Sequence, residues 1–269
     1  MHASADAELE AGFTYPVWET SVSADRQREK HRCAGVDSAV FGNSADIVFF
    51  GMDCILATRR AGLSVNGKVH VRQTFSQRSA IALGERLTVR GRVGSVEPER
   101  RGHVIRSVFE FARADGSVPL ACERVGLALD PALAARPANA PAERASEPDP
   151  CEGAILICDK QLDPGRVAAY SDEAENLIHS DPEVARRFGF RAPIAAGLMS
   201  AHFVTEALAR EGGPPGALEL KMHFLRPMFW DDRLQVRGRR DASGRLVEVL
   251  IVNDAARATA RGEIRRDAR

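Results

Sequence analysis

Apolar positions along the chain fall into two kinds of period. Segments 68–75, 87–96, 103–113 and 119–129 alternate apolar and polar residues, as half-buried strands do. The same holds for 217–224, 234–239, 246–253 and 258–265. Ahead of each group lies one apolar segment suited to a helix, 49–60 (FFGMDCILATRR) and 197–210 (GLMSAHFVTEALAR). A mostly polar stretch precedes each helix. Several strands following one helix predict an α+β layer, in which the helix packs on an antiparallel sheet.

This order occurs twice. Gly84 to Arg92 reads GERLTVRGR and Asp231 to Arg239 reads DDRLQVRGR. Gly51 precedes Arg86 by 35 residues, and Gly197 precedes Arg233 by 36. His31 lies 20 residues before Gly51, and His179 lies 18 before Gly197. A duplicated unit explains these spacings. Between the copies, 131–150 (PALAARPANAPAERASEPDP) is rich in Ala, Pro and charge and reads as a linker. The expected organisation is therefore a unit at 1–130, a linker at 131–150 and a second unit at 151–269. Each unit is a helix wrapped by its sheet, a hotdog. Pairing two such sheets edge to edge removes two exposed edges.

Composition narrows the function. The 269 residues are 44% hydrophobic, enough for a sizeable core. Lys plus Arg and Asp plus Glu are 37 each, so no global basic field argues for nucleic acid. No apolar run is long enough to span a bilayer. The first residues, MHASADAELEAG, lack the pattern of a secretory signal. Five cysteines without metal-type spacing read as reduced thiols of a cytoplasmic protein.

The chemistry concentrates in 170–203, YSDEAENLIHSDPEVARRFGFRAPIAAGLMSAHF. An acid-rich turn ends at His179. Ser180-Asp181-Pro182 then signals a helix start, and Gly189 stops that short helix. Pro193 to Gly197 leads into the apolar helix.

This stretch resembles the MaoC-like enoyl hydratases. Their motif runs Tyr…Ser-Gly-Asp-x-Asn-Pro-Leu-His-x-Asp, then Ala-x-x-x-Gly-Phe-x-x-Pro-Ile-x-His-Gly. The positions that match are Tyr170, Asn176, His179, Asp181, Pro182, Ala185, Gly189, Phe190, Pro193, Ile194 and Gly197. Phe224-Leu225-Arg226-Pro227 and Asp231-Asp232 resemble the family's approach to its next strand. The resemblance implies a double hotdog acting as a hydratase or dehydratase on an enoyl or 3-hydroxyacyl thioester of CoA or a carrier protein, in fatty acid metabolism. It implies (R) stereochemistry and needs no cofactor, metal, nucleic acid or membrane. A homodimer is the assembly it allows.

By that resemblance His179 is the acid/base and the Gly197 N–H stabilises the thioester oxyanion. Asn176 and Glu175 complete the catalytic set, while Asp172, Pro193, Ile194, Ala196 and Leu198 contact substrate. The first unit supplies a widened tunnel for a bulky acyl chain, and His31 is an inert remnant. Arg59, Arg60, Arg237, Arg239 and Arg240 are candidates for a phosphate contact or for a solvated face.

One departure stands out. The family's aspartate five residues before the histidine is Ala174 here. The histidine before the motif's last glycine is Ala196, and the proline before Leu-His is Leu177. Three readings stay open: Glu175 or Asp172 replaces the carboxylate, with Glu175 favoured; His179 works alone with Asn176 orienting water; or the chain is an impaired acyl-thioester-binding or scaffolding subunit. A hotdog thioesterase is a further alternative, needing a carboxylate on the central helix.

Overall fold

The computed structural model describes residues 10–134 and 151–266. Of the expected linker, only 131–134 is described, as a helical turn; 135–150 lies outside the described residues.

In chain order the strands are β1 (Trp18–Thr20), β2 (Lys68–Gln77), β3 (Leu87–Glu99), β4 (Gly102–Ala112), β5 (Leu120–Leu129), β6 (Ile155–Gln161), β7 (Leu218–Phe224), β8 (Arg233–Arg240), β9 (Leu246–Asn253) and β10 (Ala258–Arg265). The helices are α1 (Ala24–Ala34), α2 (Val48–Arg60), α3 (Pro131–Ala134), α4 (Pro164–Ser171), α5 (Pro182–Arg187) and α6 (Gly197–Gly212). Short 3-10 turns cover Ser38–Phe41, Asp172–Ala174 and Leu177–His179.

All ten strands form one antiparallel sheet in the order β1-β3-β4-β5-β2-β7-β10-β9-β8-β6. The first five come from the first half and the last five from the second. They join where β2 pairs with β7, from Arg72↔His223 to Gln77↔Leu218. Helix α2 packs on the first five strands and α6 on the last five. This is the α+β double hotdog. The seam consumes one edge of each half, as edge strands require.

Local signals explain the helix starts. Ser23 caps α1, Asp163 caps α4 with Pro164 in the first turn, and Asp181 caps α5 with Pro182. The N-cap of α2, Ile47, offers no side-chain acceptor, but Asp46 just before it accepts from Val48 N through Oδ1 at 3.1 Å. On each central helix a glycine lies where no Cβ fits. A Cβ on Gly51 would meet Phe75 Cζ at 2.9 Å and Leu198 Cδ2 at 3.0 Å; one on Gly197 would meet the Phe224 ring at 2.9 Å. Each helix thus comes close to its sheet through a glycine and a phenylalanine.

The small residues of α2 therefore do not create spare volume. Gly51 is filled by Phe75 and Leu198, and Cys54 and Ala57 are buried in the core. Of these small and flexible residues, Met52 alone reaches the cavity described next.

Candidate active site

The site begins in a loop held by the other half of the molecule. Leu177 N donates to Asn66 Oδ1 at 3.0 Å, and Asn176 Nδ2 donates to the Lys68 carbonyl at 3.1 Å. Ile178 is fully buried against Leu129, Phe188, Phe190 and Ile194. These anchors fix His179 at the end of a 3-10 turn. Its Nδ1 lies 2.7 Å from the Ile194 carbonyl. A carbonyl only accepts, so Nδ1 carries the proton and Nε2 keeps its lone pair. Nε2 has no partner among the described residues. Burial pushes the His179 pKa down to about 4, with the Ile194 hydrogen bond opposing, so the ring is neutral at neutral pH.

His179 and Gly197 line one cavity of about 210 Å³. Gly197 is the first residue of α6, where a backbone N–H has no acceptor within the helix. Ile194, Ala196 and Leu198, three of the expected substrate contacts, line the cavity too, and Met52, Ile55 and Val69 of the first half face them. The buried polar atoms of its wall that lack a partner among the described residues include Asn176 Oδ1 and Ser171 Oγ. Sequence reasoning missed Ser171, which sits just before the acid-rich turn.

The acid-rich turn itself faces elsewhere. Glu175 and Asp172 do not line the cavity. Glu175 adopts φ +51° between the two 3-10 turns, and its side chain is 68% exposed and paired with Arg59. Asp172 is 65% exposed and pairs with Lys30. Glu173 pairs with Arg26 at 2.7 Å. All three bases belong to α1 or α2, so the turn is a charged clasp between the halves rather than a carboxylate aimed at His179. Among the described residues no carboxylate lies within 4.0 Å of either His179 nitrogen, and none lines the cavity. Ala174 is buried in the cavity wall, where it offers no carboxylate. Pro193 also stays outside the wall, its carbonyl accepting from Trp230 N at 3.1 Å.

The arginines that were candidates for a phosphate contact or a solvated face have protein partners: Arg59 on Glu173 and Glu175, Arg239 on Glu248, Arg240 on Glu211, and Arg237 on Gln235. Arg60 lies over the Trp18 ring. The cations that line the cavity are instead Lys68, Arg101, Arg124 and Arg226. They come from separate strands and turns, so no cluster in the sequence announced them.

His31 sits in a buried hydrogen-bond network. Its Nε2 lies 3.1 Å from Asp46 Oδ2, and that oxygen also receives His202 Nδ1 at 2.6 Å and the Thr205 hydroxyl at 2.9 Å. The three titratable groups are fully buried and form a cluster of metal-ligand type, which spacing along the chain could not reveal. Burial alone would raise the Asp46 pKa, but both histidines hold it well below the usual carboxylate range. Burial pushes His202 down despite Asp46. The network ties α1 and the start of α2 to α6.

Comparison with known proteins agrees with this description. The family model described as "MaoC like domain" matches residues 159–256. The chain is similar in structure to HtdX from Mycobacterium tuberculosis, with a TM-score of 0.75 and 18% identity over 94% of this chain and 99% of that one. It is similar to the full-length peroxisomal multifunctional enzyme type 2 of Drosophila melanogaster, with a TM-score of 0.67 and 18% identity over 94% of this chain and 48% of that one. A third neighbour, a Mycobacterium tuberculosis protein described as a double hotdog, gives a TM-score of 0.63 and 12% identity over 96% of each chain. No curated protein matches the sequence. Among the described residues no helix is long and apolar enough to cross a membrane.

Proposed function

From a double hotdog chain whose second half carries a MaoC-like domain, we propose an (R)-type hydratase or dehydratase of enoyl and 3-hydroxyacyl thioesters, with His179 as its only acid/base. The observation that carries this is the His179 ring itself: neutral, with Nδ1–H fixed on the Ile194 carbonyl and Nε2 without a partner among the described residues, in the cavity that Gly197 also lines.

The chemistry follows from those atoms. In hydration, Nε2 takes a proton from water as its oxygen bonds to C3 of the enoyl group. The C2–C3 π electrons move towards the thioester oxygen, and the Gly197 N–H at the start of α6 stabilises that charge. The imidazolium returns a proton to C2, so water is added and nothing is oxidised. Asn176, its Nδ2 anchored on Lys68, offers Oδ1 to the second hydrogen of the water. Dehydration is the reverse. The thiol carrier is CoA or a carrier protein, and Lys68, Arg101 and Arg226 supply positive charge in the cavity wall. The five free cysteines fit a cytoplasmic location.

One observation favours a second reading. A cavity without a carboxylate suits an acyl-thioester-binding subunit. A thioesterase is disfavoured for the same reason. Asp53 on α2 is held by Thr20 and Arg26, and Glu206 on α6 by Lys160 and Arg210, and neither lines the cavity.

The test is hydration of crotonyl-CoA and longer enoyl-CoA thioesters, read as loss of the conjugated thioester absorbance. Wild type should turn over. His179→Ala and Asn176→Ala should each lower kcat, the former by about 10²-fold or more, the scale of a positioned acid/base. Tight acyl-CoA binding without turnover at any chain length would replace this reading with the binding subunit.

A further inference from the structure

The loop that carries His179 sorts its side chains between two environments. Asp172, Glu175 and Leu177 are exposed, and Glu173 is held by Arg26. Ser171, Ala174, Asn176, Ile178 and His179 line the cavity. The polar groups that this loop presents to the cavity are therefore neutral ones: a hydroxyl, an amide and an imidazole held neutral by burial.

Ser171 is the member of this set without an assigned task. It is 4% exposed, and its Oγ has no hydrogen-bond partner among the described residues. It ends α4 and stands three residues before Ala174, where the aspartate is missing. Three residues make one turn of the 3-10 segment Asp172–Ala174, so Ser171 and Ala174 share a side of it. Although Ser171 is the N-cap of that turn, its hydroxyl makes no capping bond. Helix α4 also packs on the turn Leu177–His179. Asn176 is 7% exposed, and its Oδ1 is likewise without a partner among the described residues.

A buried polar atom without a partner costs stability, so one kept facing a cavity marks a place for a ligand group. The groups differ in what they offer. His179 Nε2 and Asn176 Oδ1 accept, because Nδ1 of the one and Nδ2 of the other carry the hydrogens. The Nδ1 of His70 on β2 also lacks a partner in this wall, but with Nε2–H on Gln73 it too is an acceptor. The Ser171 hydroxyl supplies a donor. Two acceptors and a donor match a water molecule, which gives two hydrogens and receives one bond. A hydroxyl group gives one and receives one. We infer that Ser171 donates a hydrogen bond to the reacting oxygen, which is the water in hydration and the 3-hydroxyl in dehydration. That oxygen keeps one lone pair for C3. It bonds there as a proton passes to His179 Nε2, and the Ser171 hydroxyl keeps its own hydrogen throughout. This rests on reading the cavity as an acyl-thioester site.

The full-length protein is titrated by calorimetry with butyryl-CoA, octanoyl-CoA and the (R)-3-hydroxy form of each. Hydration of crotonyl-CoA and 2-octenoyl-CoA is followed in parallel. In at least one pair the hydroxy form should bind about fivefold more tightly or better, the scale of one or two neutral hydrogen bonds. Ser171→Ala should lower that ratio at least about threefold and leave the unsubstituted thioester's affinity within about twofold. It should also cut kcat by about tenfold with little change in KM, because the enoyl substrate carries no hydroxyl. A purely structural role would weaken both members of a pair alike. Ser171→Thr keeps the hydroxyl and should retain most of the ratio. Ser171→Cys keeps the shape but donates weakly, so it should lower the ratio and serves where Ser171→Ala fails to fold. Equal affinity within both pairs, or no binding at all, overturns the proposal, as does a ratio that neither Ser171→Ala nor Ser171→Cys lowers. A ratio that depends on Ser171 in a protein that hydrates neither enoyl thioester keeps the hydroxyl site and removes the hydratase reading. Hydration with a kcat indifferent to Ser171 does the opposite.

Discussion

At the scale of single residues, the acid-rich turn and the histidine that follows it divide their work. Glu175 and Asp172 spend their charge on Arg59 and Lys30, near the surface. Glu175→Gln and Asp172→Asn should therefore leave kcat/KM within about twofold. Each should cost about 1 kcal/mol or less in stability, as exposed ion pairs do; steady-state kinetics and urea unfolding check both. With His179 as the proposed base, its titration should set the pH response. Its folded pKa, about 4, is below the ordinary histidine value. As base it is fully available above roughly pH 5, so kcat/KM should be level through neutrality and fall as pH drops through about 4. The sign for stability follows from the same shift. Between pH 4 and 6.5 the unfolded chain binds the proton and the folded one does not, so this histidine's contribution is complete above about 6.5 and is lost as pH falls through 4. A rate that instead fell below pH 6.5 with a single ordinary histidine titration would place the working base elsewhere.

At the scale of elements, two devices set the spacing of helix and sheet. The first is the glycine–phenylalanine contact on each central helix. Gly51→Ala pushes a methyl group into Phe75 and Leu198, and Gly197→Ala pushes one into Phe224. Each should cost about 1–3 kcal/mol through overpacking. Gly197→Ala should also lower activity, because its N–H moves with the helix start. The second is Asp46, whose Oδ2 accepts from His31, His202 and Thr205. Asp46→Ala leaves buried donors without an acceptor and should cost about 3–5 kcal/mol, the scale of breaking a buried charged pair. Urea unfolding with an unchanged m-value measures it. A loss below about 1 kcal/mol would mean that the network is incidental to the join between α1, α2 and α6.

For the whole molecule, the continuous sheet matters more than the boundary between the halves. The β2–β7 seam lies in its middle, the clasp of Asp172, Glu173 and Glu175 binds one half to the other, and the cavity has walls from both. Thermal and urea unfolding should therefore follow one transition, coincident by near-UV and far-UV circular dichroism. Residues 151–269 expressed alone would expose the β7 edge and half the cavity wall, and should aggregate or remain unfolded. Two resolved transitions would show that the halves are independent folding units.

How much of this was legible along the chain depends on whether a feature is local. The strands of each half, the two central helices and the paired glycines are periodic or repeated, and local spacing displays them. His179, Asn176 and Gly197 lie within one short stretch, so their order in the sequence pointed to one site. Strand β1 is only three residues long, β6 is an edge strand whose sequence ILICDKQ does not alternate, and α1 carries few apolar residues. Helix α1 buries Gln27, Lys30 and His31, whose partners come from elsewhere in the fold, so no hydrophobic period marks it. The same reason governs the chemistry. Sequence nearness suggested that Glu175 serves His179, whereas backbone turning and the bases of α1 and α2 draw the acids outward. Which charges face the cavity, and that His31 meets Asp46 and His202, depends on strand register and on how the helices pack. A side chain's partners are set by the three-dimensional neighbours that compete for its charge, and no linear spacing encodes that competition. The sequence by itself determined a duplicated helix-and-sheet unit and the stretch that brings His179, Asn176 and Gly197 to one cavity; the tertiary structure alone decided which charged groups reach it.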